Sequence, residues 1–174
     1  MKKGYFIVLF FCVSFTGKAQ ITKNNWLVGG EAGFFYNFNN SETINGNNSY
    51  AIHLSPNIGY FIYDKLAAGS KFDYIAGNTR STTLLLGPFL RYYFLEKEKR
   101  VNLFLESSYN FGLDKQDKDY SNFSTKVGTA IFLNSSVALE LALNYNLYRN
   151  KSIDFSSNSL SLAVGFQIHL EKEK

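Results

Sequence analysis

The chain has 174 residues, enough for one domain with or without a processed segment. Its formal charge of +4 depends on Lys2, Lys3 and Lys18; from residue 21 onward fifteen bases face fourteen acids, which excludes the basic patch that a nucleic-acid partner needs. The single cysteine, Cys12, precedes residue 21 as well, so the remainder has no disulfide and no thiolate chemistry. A mean hydropathy of −0.14, with no later run of 18 apolar residues, excludes a helical membrane protein.

Lys2 and Lys3 precede an apolar stretch from Tyr5 to Phe15, and Thr16-Gly17-Lys18-Ala19-Gln20 follows. That layout is the one of a secretory signal peptide, so residues 1–20 are expected to be removed and 21–174 to form the mature domain. Phe10 and Phe11 stand before Cys12 where a lipoprotein signal has small residues, which argues against lipidation. Export without a helical anchor leaves a soluble periplasmic protein or a transmembrane barrel.

From Trp26 to Leu170 apolar residues recur at every second position, the period of a strand with two unlike faces. The first strand is predicted over 26–38, with Trp26, Val28, Ala32, Phe34, Tyr36 and Phe38 on the apolar face. The second covers 50–62 (Ile52, Leu54, Ile58, Tyr60, Ile62). The third covers 66–76 and is weaker, since Ser70 interrupts Leu66, Ala68, Phe72 and Tyr74. The fourth covers 82–94 (Leu84, Leu86, Leu90, Tyr92, Phe94) and the fifth 101–113 (Val101, Leu103, Leu105, Tyr109, Phe111, Leu113). The sixth covers 123–133 (Phe123, Val127, Ile131, Leu133). The last two are the most regular: Val137, Leu139, Leu141, Leu143, Tyr145 and Leu147 in 137–148, then Leu160, Leu162, Val164, Phe166, Ile168 and Leu170. Eight strands is an even number, and each is long enough to cross the hydrocarbon at a tilt. Pro56 and Pro88 fall inside strands and are expected to mark bulges.

The connections alternate. Tyr63-Asp64-Lys65, Asn134-Ser135-Ser136 and the charged stretch 95–100 are short, whereas 39–49, 114–122 and 149–158 are long and polar; only 77–81 breaks the rule. Short turns on one rim and longer loops on the other suit an outer-membrane barrel with its loops outside.

Alternation alone does not say which face points inward, because a soluble barrel buries its apolar face. Three features favour the inverted arrangement. The polar face carries the glycines (Gly33, Gly59, Gly69, Gly87, Gly112, Gly128, Gly165), and the bore of an eight-stranded barrel admits little more than small side chains. Its charges nearly balance: Glu31, Asp73, Glu106 and Glu140 against Lys71, Arg91 and Lys126, with His53 and His169 able to join. Matched charges suit an enclosed lumen, where a lone ion is costly. Aromatics gather at both ends of the apolar face, as in membrane-interface belts. The expected fold is an all-β, eight-stranded, antiparallel up-and-down transmembrane β-barrel.

Those nine residues form the expected polar network of the lumen. No catalytic constellation stands out. His53 and Ser55 share the inward face, whereas lipid-cleaving chemistry must meet lipid, so a deacylase-like pair is disfavoured. A metal site built from Glu31, His53 and His169 is disfavoured against a hydrogen-bonded plug. Asp114, Asp117 and Asp119 lack the central glycine of a calcium loop. No cofactor, metal or enzymatic activity is expected.

The stretch Leu54-Ser55-Pro56-Asn57-Ile58-Gly59-Tyr60-Phe61-Ile62, followed by Leu66-Ala67-Ala68-Gly69, resembles the second hairpin of the outer-membrane protein beta-barrel domain family. The resemblance implies a small outer-membrane barrel with a porin-like or structural role, and it brings no catalytic residues. The chain ends Leu170-Glu171-Lys172-Glu173-Lys174 rather than on the aromatic that the assembly machinery reads in many such proteins. The expectation is therefore a monomeric, plugged barrel in contact with outer-membrane lipid, lipopolysaccharide and the barrel-assembly machinery. The competing readings are a narrow channel, a lipid-active enzyme and a soluble ligand-binding barrel.

Overall fold

The computed structural model describes residues 21–37, 49–78, 82–114, 118–152 and 154–171. The predicted signal peptide, Phe38, nearly all of the 39–49 loop and Asp117 lie outside them, as does the side chain of Tyr36. Eight strands follow in order: β1 (Trp26–Asn37), β2 (Ser49–Tyr63), β3 (Leu66–Gly77), β4 (Thr83–Tyr93), β5 (Val101–Gly112), β6 (Tyr120–Phe132), β7 (Val137–Asn150) and β8 (Phe155–Leu170). Each pairs antiparallel with its neighbours in sequence, and β8 returns to β1 to close the barrel.

The short turns are held by side chains that the sequence supplies on the spot. Asn134 Oδ1 accepts from the backbone N–H groups of Ser136 and Val137, both at 2.8 Å, an Asx-type turn that starts β7. Asn102 clasps the β4–β5 connection, accepting from Leu95 N at 2.9 Å and donating to Leu95 O at 3.1 Å. At the β2–β3 turn Lys65 takes a left-handed φ of 67°, and the register shifts between Phe61 and Tyr63.

Two expectations need correction. β6, β7 and β8 reach farther toward the loop rim than predicted: β7 stays paired with β8 up to Asn150↔Phe155, and β6 with β7 up to Tyr120↔Asn150. The 149–158 segment is thus mostly strand, because its serines and asparagines break the apolar alternation without breaking the backbone ladder. The prolines are not bulges either. Pro56 keeps its place opposite Gly30, and Pro88 opposite Ser70. Each interrupts the ladder on its other side without shifting it: Leu54↔Tyr74 and Asn57↔Lys71 share one register, as do Leu86↔Phe111 and Phe89↔Ser108. The missing N–H costs a rung, not a residue. Gly30 admits the close approach, since a Cβ there would lie 2.8 Å from Pro56 Cα, at a φ of 157°.

The barrel is inverted relative to a soluble protein. Leu141 is 47% exposed on the wall while its neighbour Glu140 is 4% exposed in the bore. The same alternation runs through β4, β5 and β7. A continuous outer surface of Leu, Ile, Val, Phe and Tyr is far larger than any apolar patch that a soluble monomer shows to water. Paired rings sit at its two margins: Trp26 with Tyr60 and Tyr92 with Phe94, each at 5.2 Å, near the short turns, and Tyr109 with Phe111 at 4.8 Å near the loops. The soluble ligand-binding reading, which needs that surface inside, is at odds with this wall.

Candidate functional site in the lumen

The bore is built in three levels, and the nine residues anticipated from the sequence fall on all three. The middle level is a closed set of ion pairs. Arg91 on β4 lies opposite Glu106 on β5, and Glu106 opposite Lys126 on β6. The Arg91 guanidinium reaches Glu106 Oε2 at 2.5 Å through Nη2 and 2.7 Å through Nε, and through Nη1 it donates across the bore to Glu140 Oε1 at 2.7 Å. Lys126 contacts Glu31 at 2.6 Å and Glu106 at 3.2 Å; Lys71 lies 3.3 Å from Glu31 and 3.4 Å from Glu106. Three cations thus meet three glutamates. Gly165 on β8 makes room for them, because it is the register partner of both Glu31 and Glu140, and a Cβ there would lie 3.3 Å from Glu31 Cβ.

Toward the short turns the bore becomes apolar, which the sequence reading did not anticipate. Leu27, Phe61, Tyr93, Phe104 and Phe132 point inward and are buried, and Ile21 joins them from before β1. The guanidinium of Arg91 stands 4.7 Å above the Phe104 ring, so the floor supports the ion pairs through a cation–π contact. His169 lies here, its Nε2 3.3 Å from the Tyr93 hydroxyl and its ring 5.2 Å from Phe132. The signal was present: these aromatics share the phase of the glycines, not of the leucines.

Toward the loops the bore is polar and nearly neutral. Asp73 accepts from Ser55 and Asn110, and His53 Nε2 is 3.1 Å from it. Ser124 donates to Asn144 Oδ1 at 2.6 Å, and Asn122 Nδ2 to Asn146 Oδ1 at 3.3 Å. His53 and Ser55 are therefore brought together, but by a shared carboxylate. Ser55 donates to the acid rather than to an imidazole base, which is the wrong order for activating a nucleophile. His53 and His169 belong to different levels with different partners, so no Glu31–His53–His169 site forms. Asp119 ties two loops together, accepting from Ser152 through its side chain. Among the described residues no cluster of three metal-ligating side chains occurs.

No family model matches the chain, and no curated protein matches it in sequence. Solved structures do match in shape. Neisserial surface protein A superposes with a TM-score of 0.55 at 14% identity, over 83% of this chain and 96% of that one. A de novo designed transmembrane β-barrel gives 0.50 at 9% identity, over 86% and 98%. The outer-membrane protein OprG from Pseudomonas aeruginosa gives 0.47 at 11%, over 90% and 100%. The fold is that of a small transmembrane β-barrel. At such identities the likeness concerns shape alone. The chemistry of the bore must be read from this chain's own residues.

Proposed function

We propose that the chain is a non-enzymatic outer-membrane barrel with a plugged lumen, serving as a structural or surface-interaction element of the cell envelope. One observation carries this reading. A neutral, mutually bonded set of three cations and three glutamates crosses the bore directly above an aromatic floor. A buried ion pair that loses one partner is strongly destabilised, so such a plug resists opening. The apolar wall with its two aromatic margins supports residence in lipid, and the loop rim would then face outward, toward lipopolysaccharide and surface partners. The protein would enter the membrane through the barrel-assembly machinery and act as a monomer.

Reconstitution in planar bilayers tests the plug. The expected record is flat, without steady single-channel steps; large, reproducible unitary currents would favour the narrow-channel reading. Mass spectrometry of lipid A from cells with and without the protein tests the absence of lipid chemistry, with unchanged acyl chains expected.

A further inference from the structure

The wall is uneven where the first and last strands meet. Pairing between β1 and β8 runs from Trp26↔Leu170 to Ala32↔Val164 and ends there, although β1 continues to Asn37 and β8 begins at Phe155. On their other sides both strands stay in register throughout, β1 with β2 up to Asn37↔Ser49 and β8 with β7 up to Asn150↔Phe155. The seam is thus zipped near the short turns and parted toward the loops. The parting still lies within the apolar belt, because Leu160 and Leu162 are the register partners of Tyr145 and Leu143. Its leucines stand out from the wall: Leu162 is 82% and Leu160 65% exposed, against 47% for Leu143 beside them. Where the pairing ends, the described side chains of inward phase are small and neutral on both strands (Gly33 on β1; Ser159, Ser161 and Ala163 on β8), with Asn144 opposite Ser161.

Backbone groups at a parted strand edge are costly in hydrocarbon, where no water reaches them. A molecule that lodges there must hydrogen-bond the edge and also lie against leucines. The β8 edge at Ser159–Ala163 carries no charged side chain, and Glu31, the nearest acid on β1 among the described residues, is already paired with Lys71 and Lys126, so a charged head gains no ion pair at this edge. We infer that the β1–β8 parting binds a single-chain, uncharged amphipath of the surrounding leaflet. Its hydroxyl- or amide-bearing head sits against the β8 edge at Ser159–Ala163 and near Asn144, and its alkyl chain runs along Leu160 and Leu162. The plug bars the way from the short-turn end, and the exposed Leu160 and Leu162 open the parting to the surrounding leaflet, which is the source. The inference rests on the lipid-facing wall of the proposed function.

The test uses the full barrel in liposomes that carry a photoreactive long-chain alcohol. After irradiation, tryptic fragments 152–172, which hold β8, and 127–149, which hold the end of β6 and nearly all of β7, are compared by mass spectrometry. The expected result is several-fold more label on 152–172, concentrated at Leu160–Ala163. Continuing the register would set Gly33 opposite Ala163. In the Gly33→Cys/Ala163→Cys variant, oxidation should therefore remove the excess and reduction restore it. Equal labelling of the two fragments on the unaltered chain overturns the proposal, as does an excess that oxidation leaves unchanged. Absence of label from both fragments would instead overturn the lipid-facing wall, so the two failures are told apart.

Discussion

Glu140 and Leu141 are neighbours in the chain and live in different solvents, and the wall and the bore they stand for obey different rules. On the wall, polarity is nearly the whole requirement: Leu, Ile, Val and Phe alternate along β7 and β8 with no evident order, because acyl chains adapt to any apolar side chain. In the bore, volume, charge and partner all count. Gly165 cannot grow without meeting Glu31, and Arg91 has two specific acceptors, one on the adjacent strand and one across the lumen. A wall residue is therefore replaceable by its class, whereas a bore residue is replaceable only together with its partners.

The sharpest break of that contrast is expected at Arg91. Among the described residues Arg91→Ala takes away the only cation bridged to Glu140 and one of three at Glu106, leaving buried carboxylates under-compensated. A loss of about 3–5 kcal/mol is expected, read from urea unfolding in lipid vesicles. Next comes Leu141→Arg, which places a cation in the apolar belt and should lower stability by roughly 2–4 kcal/mol near the midplane. An equal change on the bore side is expected to be milder. Glu140→Gln keeps an acceptor for Arg91 and should shift the same unfolding curve by about 1–2 kcal/mol. Ser124→Ala removes one neutral hydrogen bond to Asn144, worth about 1 kcal/mol.

The smallest effect belongs to neither region. Lys65 and Glu96 meet at 2.5 Å in the short turns, exposed to water. Donation to the Glu96 carboxylate holds the Lys65 ammonium protonated to higher pH than usual. A raised lysine contributes stability that is fully present below its unfolded value, about 10.4, and is lost above it. Glu96→Gln should therefore lower the unfolding midpoint slightly at neutral pH, the least of these effects because the pair is exposed, and the difference from the parent should shrink in strong alkali as Lys65 loses its proton.

Strand number, phase and the inward position of Glu31, His53, Lys71, Asp73, Arg91, Glu106, Lys126, Glu140 and His169 were all legible in the sequence, because a period of two is a local property. Partnership was not. The Arg91–Glu140 bond joins β4 to β7 across the bore, and only the closed register of the whole barrel brings those two together. Proximity of His53 to Asp73 likewise comes from the β2–β3 register, in which His53 pairs with Ile75 and Asp73 stands one rung away. The aromatic floor was visible in the phase of Phe61, Tyr93, Phe104 and Phe132, but their gathering into one layer depends on the closed barrel, which sets four different strands side by side. Strand ends near the loops were obscured for a different reason. Ser156, Ser157, Asn158 and Ser159 carry no alternation, yet the backbone ladder continues through them.

The inside-out assignment is tested most directly by a nitroxide scan along β7 in lipid vesicles, which is straightforward because residues 21–174 lack cysteine. Labels at positions 139, 141, 143 and 145 should collide freely with oxygen dissolved in the bilayer, and labels at 138, 140, 142 and 144 should not, giving a period of two in phase with the leucines. The same period with the opposite phase, or equal oxygen access at both sets, would contradict the account.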